Sequence, residues 1–341
     1  MHFVRLRALA IGFASLTLLT ATASASQEVN IYTTREPGLI KPLLDAFTTR
    51  TGIVANTVFV DKGLPERVKA EGDASPVDVL MTVDFGNLID LVEAGVTQPV
   101  KSTLLEQAIP ANLRDANGHW LTLSLRARVL YAAKELGLKS FSYEDLADPE
   151  WQGRVCIRAG QHPYNTALIA AYIARHGEAE TEKWLTSVKA NLARKAGGGD
   201  RDVARDILGG ICDLGLANSY YVGLMRSGAG GPDQVKWGEA IDVVLPVFEG
   251  GGTHVNVSGA ALAANAPNRD NAVKLLEFLV SDEGQQLYAQ ANFEYPVKAG
   301  VAADPIVAAL GKLEPDSLAL TDIAAHRKLA SQLVDKVGFD N

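Results

Sequence analysis

The sequence predicts an α/β protein built from two lobes. From residue 28 onward, short segments rich in Val and Ile alternate with segments whose apolar residues recur at helical spacing, a pattern typical of βα units and a mostly parallel sheet. The alternation is interrupted at residues 117–135 and resumes at residue 151. A chain of 341 residues is long for one hydrophobic core and comfortable for two.

The N-terminus has the pattern of a cleaved signal peptide. Arg5 and Arg7 precede an apolar run at residues 8–19, and small residues in the Ala-x-Ala pattern follow. The alternative is an uncleaved membrane anchor, but the run is shorter than the roughly 20 residues that a spanning helix needs. We therefore expect residues 1–25 to be removed and the mature chain to be periplasmic, without insertion into the membrane.

The first lobe is predicted to alternate strands and helices. The clearest helix is at residues 38–52, where the apolar spacing ends at Gly52. In chain order, the predicted segments are strand 28–34, helix 38–52, strand 53–60, helix 64–72, strand 77–84 and helix 86–95.

The second lobe is predicted to follow one or two extended segments at residues 117–135, which pass from one lobe to the other. Glycine-rich stretches at 197–199, 228–231 and 250–252 predict loops or hinges. In chain order, the remaining predicted segments are strand 151–160, helices 165–177 and 178–196, strand 211–217, and helical segments 271–290 and 316–338.

Charge and cysteine content limit the class of protein. The formal net charge of −8 argues against nucleic acid or an anionic membrane surface as the main partner. The two cysteines, Cys156 and Cys212, are expected to form a disulfide, because thiols in an oxidising compartment are usually paired. The alternative is two buried free thiols.

Motifs for catalysis are scarce in the sequence. It contains no Gly-x-Ser-x-Gly, no Walker phosphate loop, no His-Glu-x-x-His and no Cys-x-x-Cys, and its histidines show no metal-ligand spacing. A secreted hydrolase is therefore the weaker alternative, since no nucleophile, base and orienting group can be assigned.

Three tyrosines carry the strongest functional signal. Tyr164 follows a predicted strand and precedes a helix, while Tyr220 and Tyr221 end another strand of the same lobe. Ligand groups of open α/β sheets lie at such strand ends. Phenolate oxygen suits a hard trivalent ion such as Fe³⁺, which can displace the phenol proton. The alternative is that these aromatic rings simply pack against the next helix.

An Arg-x-Arg segment lies in the extended region between the lobes. Arg126 and Arg128 are two positions apart, so in a strand both face the same way. Guanidinium binds a planar carboxylate or carbonate through two parallel hydrogen bonds. The alternative is an ordinary salt-bridge role.

The ordered motifs of the chain resemble those of the periplasmic ferric-iron-binding proteins that serve ABC transporters, the transferrin-like branch of the solute-binding proteins. The resemblance covers about residues 28–301, and its most specific part is the tyrosine pair preceded by Tyr164. The motifs are VNIYTTR, DAFTTRTGI, SPVDVLMTVD, SYEDLADPEWQGRVCIR, YNTAL, LANSYYVG, GTHVNVSG and EYPVKAG.

The resemblance implies a two-lobed periplasmic binding protein of the type II-like class, with crossing strands as the hinge and a ligand cleft between the lobes. Lobe 1 would contain residues 26–124 and about 250–298. Lobe 2 would contain residues 125–249 and about 299–341. Such a protein is not an enzyme, is expected to be a monomer, and delivers its cargo to an inner-membrane ABC permease.

The same resemblance implies the site. Tyr164, Tyr220 and Tyr221 would hold Fe(III) as phenolates, and Arg126 would hold carbonate or bicarbonate as a synergistic anion. Arg128 and Arg35 would add positive potential.

The sequence departs from the family pattern in the first lobe. Many members carry His or Tyr ligands after the first strand, where this chain has Arg35, Glu36 and Pro37, and others carry Glu near Val83. Glu36 offers an oxygen ligand or only a helix-start charge. The remaining coordination is therefore expected from an anion, water or a small chelator. An organic or anionic solute, or a chelated iron complex, is the alternative cargo in the same fold.

Overall fold

The computed structural model describes residues 27–341. The predicted signal peptide at residues 1–25 lies outside the described residues. The strands are β1 (Glu28–Thr33), β2 (Val54–Phe59), β3 (Val79–Thr82), β4 (Thr97–Gln98), β5 (Leu121–Ala133), β6 (Val155–Cys156), β7 (Leu214–Asn218), β8 (Ile241–Val244), β9 (Val255–Ala263) and β10 (Tyr295–Pro296).

Helices surround the strands along the whole described chain. They are α1 (Pro37–Thr51), α2 (Leu64–Glu71), α3 (Phe85–Glu93), α4 (Thr103–Ala108), α5 (Pro163–Ala190), α6 (Asp200–Leu208), α7 (Tyr220–Arg226), α8 (Pro232–Glu239), α9 (Arg269–Leu279), α10 (Asp282–Asn292), α11 (Pro305–Ala308), α12 (Leu320–Ala324) and α13 (Arg327–Val337). In residues 27–341, none of these helices has the length and apolarity needed to cross a membrane.

The α/β prediction is confirmed, but the sheet is mixed rather than mostly parallel. Its strand order is β2-β1-β3-β9-β5-β7-β6. Pairing is parallel toward the two ends, between β2, β1 and β3 and between β6 and β7. The centre is antiparallel, because β9 pairs with β3 and β5, and β5 pairs with β7 and β8.

Two long strands connect the two ends of the sheet. The first half of β5, up to Ala127, pairs with β9, and its second half, from Arg128, pairs with β7. The prediction of an extended segment here is confirmed, whereas β9 was not predicted. Every residue of β9 is buried, so the polar and apolar alternation that marks a half-buried strand is absent.

Two predicted helical segments differ in their boundaries. The predicted helices 165–177 and 178–196 are confirmed as the two parts of α5, which meet at the non-helical backbone of Gly177, although the second part ends at Ala190 rather than at residue 196. The predicted helical segment 271–290 is instead two helices, because Ser281 starts α10 by accepting a hydrogen bond from the backbone of Gly284. The chain turns between α9 and α10, so α10 packs on α1.

The predicted disulfide between Cys156 and Cys212 is present, with the Cα atoms 5.8 Å apart. Cys156 ends β6, but Cys212 lies two residues before β7 rather than within the strand. Because β6 and β7 are parallel neighbours, the bond joins the segments that lead to Arg158 and to the tyrosine pair.

Candidate metal centre

The structure brings the three predicted tyrosines together. The hydroxyl oxygens of Tyr164 and Tyr220 are 3.4 Å apart. The rings of Tyr220 and Tyr221 lie with their centroids 4.1 Å apart. All three side chains are half-buried, so they are held by the fold and remain accessible from one side.

Tyr164 is positioned by the start of α5. Pro163 occupies the first helical position, where its fixed φ and missing N–H cost nothing. The side chain of His162 accepts a hydrogen bond from the backbone N–H of Tyr164 through Nδ1, at 3.2 Å. Burial, followed by the charge of Arg158, lowers the pKa of His162 to about 4. The ring is therefore neutral near neutral pH and remains an acceptor.

Tyr220 and Tyr221 are positioned by the end of β7 and the first turn of α7. Ser219 lies between these two elements and makes two hydrogen bonds to Ala127 of β5, one through its backbone and one through its side chain. Its backbone N–H donates to the carbonyl of Ala127 at 2.9 Å, and its Oγ accepts from the N–H of Ala127 at 3.2 Å. The tyrosine pair is thus fixed relative to the neighbouring residue of β5, Arg126.

The tyrosines Tyr164 and Tyr220 face a cleft of about 230 Å³. The opposite wall comes from the end of β1, the start of α1, the loop after β3 and the end of α10. The other lining residues are Thr34, Arg35, Glu36, Leu39, Val83, Arg126, Leu224, Ala291, Asn292 and Glu294. Glu36 is exposed at this rim, immediately before α1, and makes no side-chain capping bond there.

Arg126, which lies on β5, is a cation that lines the cleft beside Tyr164. Its Cζ lies 5.5 Å from the centre of the Tyr164 ring. Nη2 donates to the carbonyl of Val257 at 2.8 Å, while Nε has no hydrogen-bond partner among residues 27–341 although it is buried. A buried guanidinium with an unused donor is suited to a bound anion.

Arg35 also lines the cleft, but its charge is matched by a carboxylate. Its guanidinium contacts Glu294 at 2.5 Å and the Asn292 amide oxygen at 2.6 Å. Burial alone would raise the pKa of Glu294, but Arg35 and then Arg126 outweigh burial and hold this pKa below 4.5. Glu294 is therefore ionised, and the Arg35–Glu294 pair adds little net charge to the cleft.

Arg128 does not line the cleft. Its Nη1 contacts Asp200 at 2.6 Å, and its Nη2 contacts the side-chain oxygen of Asn165 at 2.7 Å. Between Arg126 and Arg128 the partner of β5 changes from β9 to β7. The two arginines therefore meet different surroundings although they are two positions apart.

Tyr220 and Tyr221 favour their protonated forms when no metal ion is bound. Burial, followed by the neighbouring phenols of Tyr164 and Tyr221, raises the pKa of Tyr220 well above 10.0. Burial and then Tyr164 also raise the pKa of Tyr221. Phenolates this close together repel one another, so a cation that neutralises them is needed before several can ionise.

Sequence reasoning did not identify several residues of this region. Glu294, Asn292 and Asp200 approach from segments far from Tyr164 in the sequence, whereas Arg158 precedes it by only six positions. Asp200 had one usable signal, because an acidic residue after three glycines is typical of a helix start. Arg158 and Glu294 lie in two of the quoted motifs, SYEDLADPEWQGRVCIR and EYPVKAG, but nothing in those motifs marked them as site residues, and Asn292 had no distinguishing pattern.

Comparisons with known proteins agree with this architecture. Residues 74–312 match the family described as bacterial extracellular solute-binding protein. Iron uptake protein A2 of Synechocystis sp. is 40% identical over 339 residues, covering 96% of each chain.

Solved structures are similar over nearly the same length. A Bordetella ferric binding protein is 68% identical, with a TM-score of 0.90 over 92% of this chain and 100% of that chain. A Trichodesmium protein in complex with iron and citrate ligands is 38% identical, with a TM-score of 0.87 over 92% of this chain and 99% of that chain. The predicted two-lobed binding-protein fold and the family resemblance are thereby confirmed. The chain belongs to the bacterial extracellular solute-binding proteins, and the relatives named here are iron-uptake and ferric-binding proteins.

Proposed function

We propose that the mature protein is a periplasmic binding protein that captures Fe(III) and delivers it to an inner-membrane ABC importer. Tyr164, Tyr220 and Tyr221 are the proposed ligands. The observation that carries the proposal is the 3.4 Å separation of the Tyr164 and Tyr220 hydroxyl oxygens. Two oxygen donors at this distance can occupy neighbouring positions around one metal ion, and phenolate selects a hard, highly charged cation.

Arg126 is the proposed anion-binding residue. Three phenolates neutralise Fe³⁺ but leave coordination positions open. A carbonate that fills them would lie beside the guanidinium of Arg126, which lines the cleft, and its charge would be compensated there. Arg35 is less suited to this role, because Glu294 already neutralises it.

The cleft volume supports a chelated ion as the second candidate cargo. A space of about 230 Å³ exceeds what one metal ion and one carbonate fill. Its first-lobe wall offers Glu36 and Asn292 as polar groups, and Val83 and Leu39 as apolar ones. The Trichodesmium relative was solved with iron and citrate, which makes citrate the natural chelate to compare with bicarbonate.

Capture and release require no covalent chemistry. The lobes would close over the ion, as expected for a fold with two crossing strands between its lobes, and the closed surface would be recognised by the permease. The proposed lobes are residues 26–124 with about 250–298, and residues 125–249 with about 299–341.

A visible absorption titration tests the proposal. Metal-stripped mature protein is titrated with weakly chelated Fe(III), with bicarbonate, with citrate and with neither. We expect a broad phenolate-to-iron charge-transfer band that saturates near one iron per protein. Tyr220→Phe should weaken the band and the affinity. Tyr172→Phe is the matched control, because Tyr172 stacks on Trp184 with ring centroids 4.4 Å apart and does not line the cleft.

Each outcome discriminates between the candidates. A band that needs bicarbonate supports the bare ion with a synergistic anion, and a band that needs citrate supports the chelate. If no condition gives a band, tyrosine ligation is wrong and an organic or anionic solute becomes the leading candidate.

A further inference from the structure

A buried polar cluster connects the two segments that carry the tyrosines. We call it the Asp200 cluster. It consists of Asp200, Arg128, Arg158, Asn165 and Asn218, which come from the start of α6, from β5, from the loop after β6, from α5 and from the end of β7. Asp200 is 1% exposed and lies at the centre of the cluster.

Asp200 uses both carboxylate oxygens. Oδ2 accepts from Nη1 of Arg128 at 2.6 Å and from the backbone N–H of Asn218 at 2.7 Å. Oδ1 accepts from Nη1 of Arg158 at 3.1 Å. A single carboxylate therefore joins three segments that are distant in sequence.

One arm of the cluster reaches Tyr164. Arg128 donates to the side-chain oxygen of Asn165, the residue after Tyr164, at 2.7 Å. The amide nitrogen of Asn165 donates to the carbonyls of Arg158 and Ala159 at 2.9 and 3.1 Å. The Cζ of Arg158 lies 5.1 Å from the centre of the Tyr164 ring. The start of α5 is thus tied to Asp200 through two arginines.

The other arm reaches the tyrosine pair. Asn218 is the last residue of β7, two positions before Tyr220. Its backbone N–H is held by Asp200, and its side-chain oxygen accepts from Arg128 at 3.2 Å. The position of the strand end, and hence of the first turn of α7, therefore depends on the same carboxylate.

Directional bonds of this kind suit a positioning role. Replacing a buried ion cluster by apolar residues often leaves stability unchanged, so fold stability alone does not require one. Hydrogen bonds with defined donors and acceptors fix relative positions more narrowly than apolar packing does. Metal sites need such support, because ligands displaced by a fraction of an ångström bind poorly.

We propose that Asp200 is a positioning residue for iron binding, which sets the separation between Tyr164 and the Tyr220–Tyr221 pair through Arg128, Arg158 and Asn165. The inference rests on the proposed function. Asp200 itself does not touch the metal in this proposal; it acts through the segments that carry the ligands.

Asp316 provides a matched control within the same protein. Its side chain is 4% exposed and pairs with Arg175, and it accepts backbone N–H bonds from Gly252 and Leu318 at 3.2 and 2.8 Å. Arg175 lies 11 positions after Tyr164 in α5, about three helical turns away. Asp316→Asn therefore removes a comparable buried charge far from the tyrosines.

The test compares Asp200→Asn and Asp316→Asn as folded proteins, with circular dichroism as the check of folding. We expect both variants to unfold at lower denaturant concentration than the unmodified protein. We expect Asp200→Asn alone to bind iron about 10- to 100-fold more weakly in competition with a chelator, the range typical of lost outer-shell support, and therefore to release it faster and to shift the charge-transfer band. A residue that only stabilises the fold would not move the band.

Asn165→Ala keeps the test decisive if Asp200→Asn does not fold. It leaves the ion pairs intact and removes the bonds to Arg128, Arg158 and Ala159, so we expect a smaller band shift in the same direction. The inference is wrong if the variants that fold keep the band position and release iron within about twofold of Asp316→Asn. Absence of any band in the unmodified protein would instead overturn the proposed function, so the two failures are distinct.

Discussion

The hydroxyl oxygens of Tyr164 and Tyr220 lie 3.4 Å apart although 56 positions separate the two residues in the chain. Each residue lies at the start of a helix, Tyr164 in α5 and Tyr220 in α7. Neutral phenols tolerate this distance as a hydrogen bond, whereas two phenolates require a cation between them. The relationship therefore couples metal binding to proton release.

Iron binding should weaken as the pH falls. The pKa of Tyr220 and of Tyr221 is raised by burial and by neighbouring phenols, so these two phenols are protonated near neutral pH when no metal ion is bound. Each phenol that becomes a ligand releases one proton, which costs about tenfold in affinity for each pH unit of acidification. The measurement is iron occupancy from pH 7.5 to pH 5.5 against a chelator of known pH dependence. Occupancy that does not change would contradict phenolate ligation.

Arg126→Gln should reduce the dependence of iron binding on the anion. The guanidinium that lines the cleft beside Tyr164 is lost, so we expect an affinity about tenfold lower in bicarbonate, the value of one charge-assisted hydrogen bond. Arg201→Gln is the control, because Arg201 lies near Tyr221, with its Cζ 5.6 Å from the ring centre, but is exposed. Equal losses in the two variants would show that general positive charge, and not an anion site, is responsible.

Gly223→Ala should disturb the contact between α7 and the end of α10. A Cβ at Gly223 would lie 2.2 Å from a ring carbon of Phe293, so the ring and α7 must move apart. We expect a loss of about 1 to 3 kcal/mol in the free energy of unfolding and weaker iron binding, since Phe293 stands between Asn292 and Glu294 of the cleft wall. Denaturant unfolding and the iron titration measure both.

Two further variants test whether contact with Phe293 causes the weaker iron binding of Gly223→Ala. Gly38→Ala is the control, because nothing lies within 4 Å of its Cβ position. Adding Phe293→Gly to Gly223→Ala should raise the iron affinity above that of Gly223→Ala alone, because it removes both the ring and the Phe293 Cβ, which would lie 2.4 Å from the added Cβ. A double variant whose losses simply add would show that the two residues do not interact.

His254 should make the protein less stable in mild acid. It is fully buried, and burial lowers its pKa to about 3 from 6.5. The unfolded chain therefore binds this proton between about pH 6.5 and pH 3 and the folded chain does not. The free energy of unfolding is therefore not reduced by His254 above pH 6.5, and it decreases as the pH falls from 6.5 toward 3. At pH 5 the loss is about 2 kcal/mol.

The effect is measured as the change in unfolding free energy between pH 7.5 and pH 5. In His254→Leu this change should be smaller by the same amount, because no group titrates at that position. An identical pH dependence in the two proteins would contradict the assignment to His254.

Local patterns in the sequence predicted where the three tyrosines lie in the secondary structure. Strand ends and helix starts are encoded by neighbouring residues, so the places of Tyr164, Tyr220 and Tyr221 at such junctions followed from the pattern alone. The α/β class followed in the same way, whereas the cysteine pair was predicted from the oxidising compartment. The strand β9 did not, because a strand buried on both faces loses the alternation that reveals it.

The sequence by itself determined which side chains are available at the cleft, and the tertiary structure decided what each of them does. Arg126 and Arg128 are equivalent by spacing, yet Arg126 lines the cleft beside Tyr164 and Arg128 is bound to Asp200. The charge of Arg35 is neutralised by the carboxylate of Glu294, which comes from a segment more than two hundred positions away. The charge and hydrogen bonding of a buried group depend on partners that only the packed chain brings into contact, and no local pattern records them.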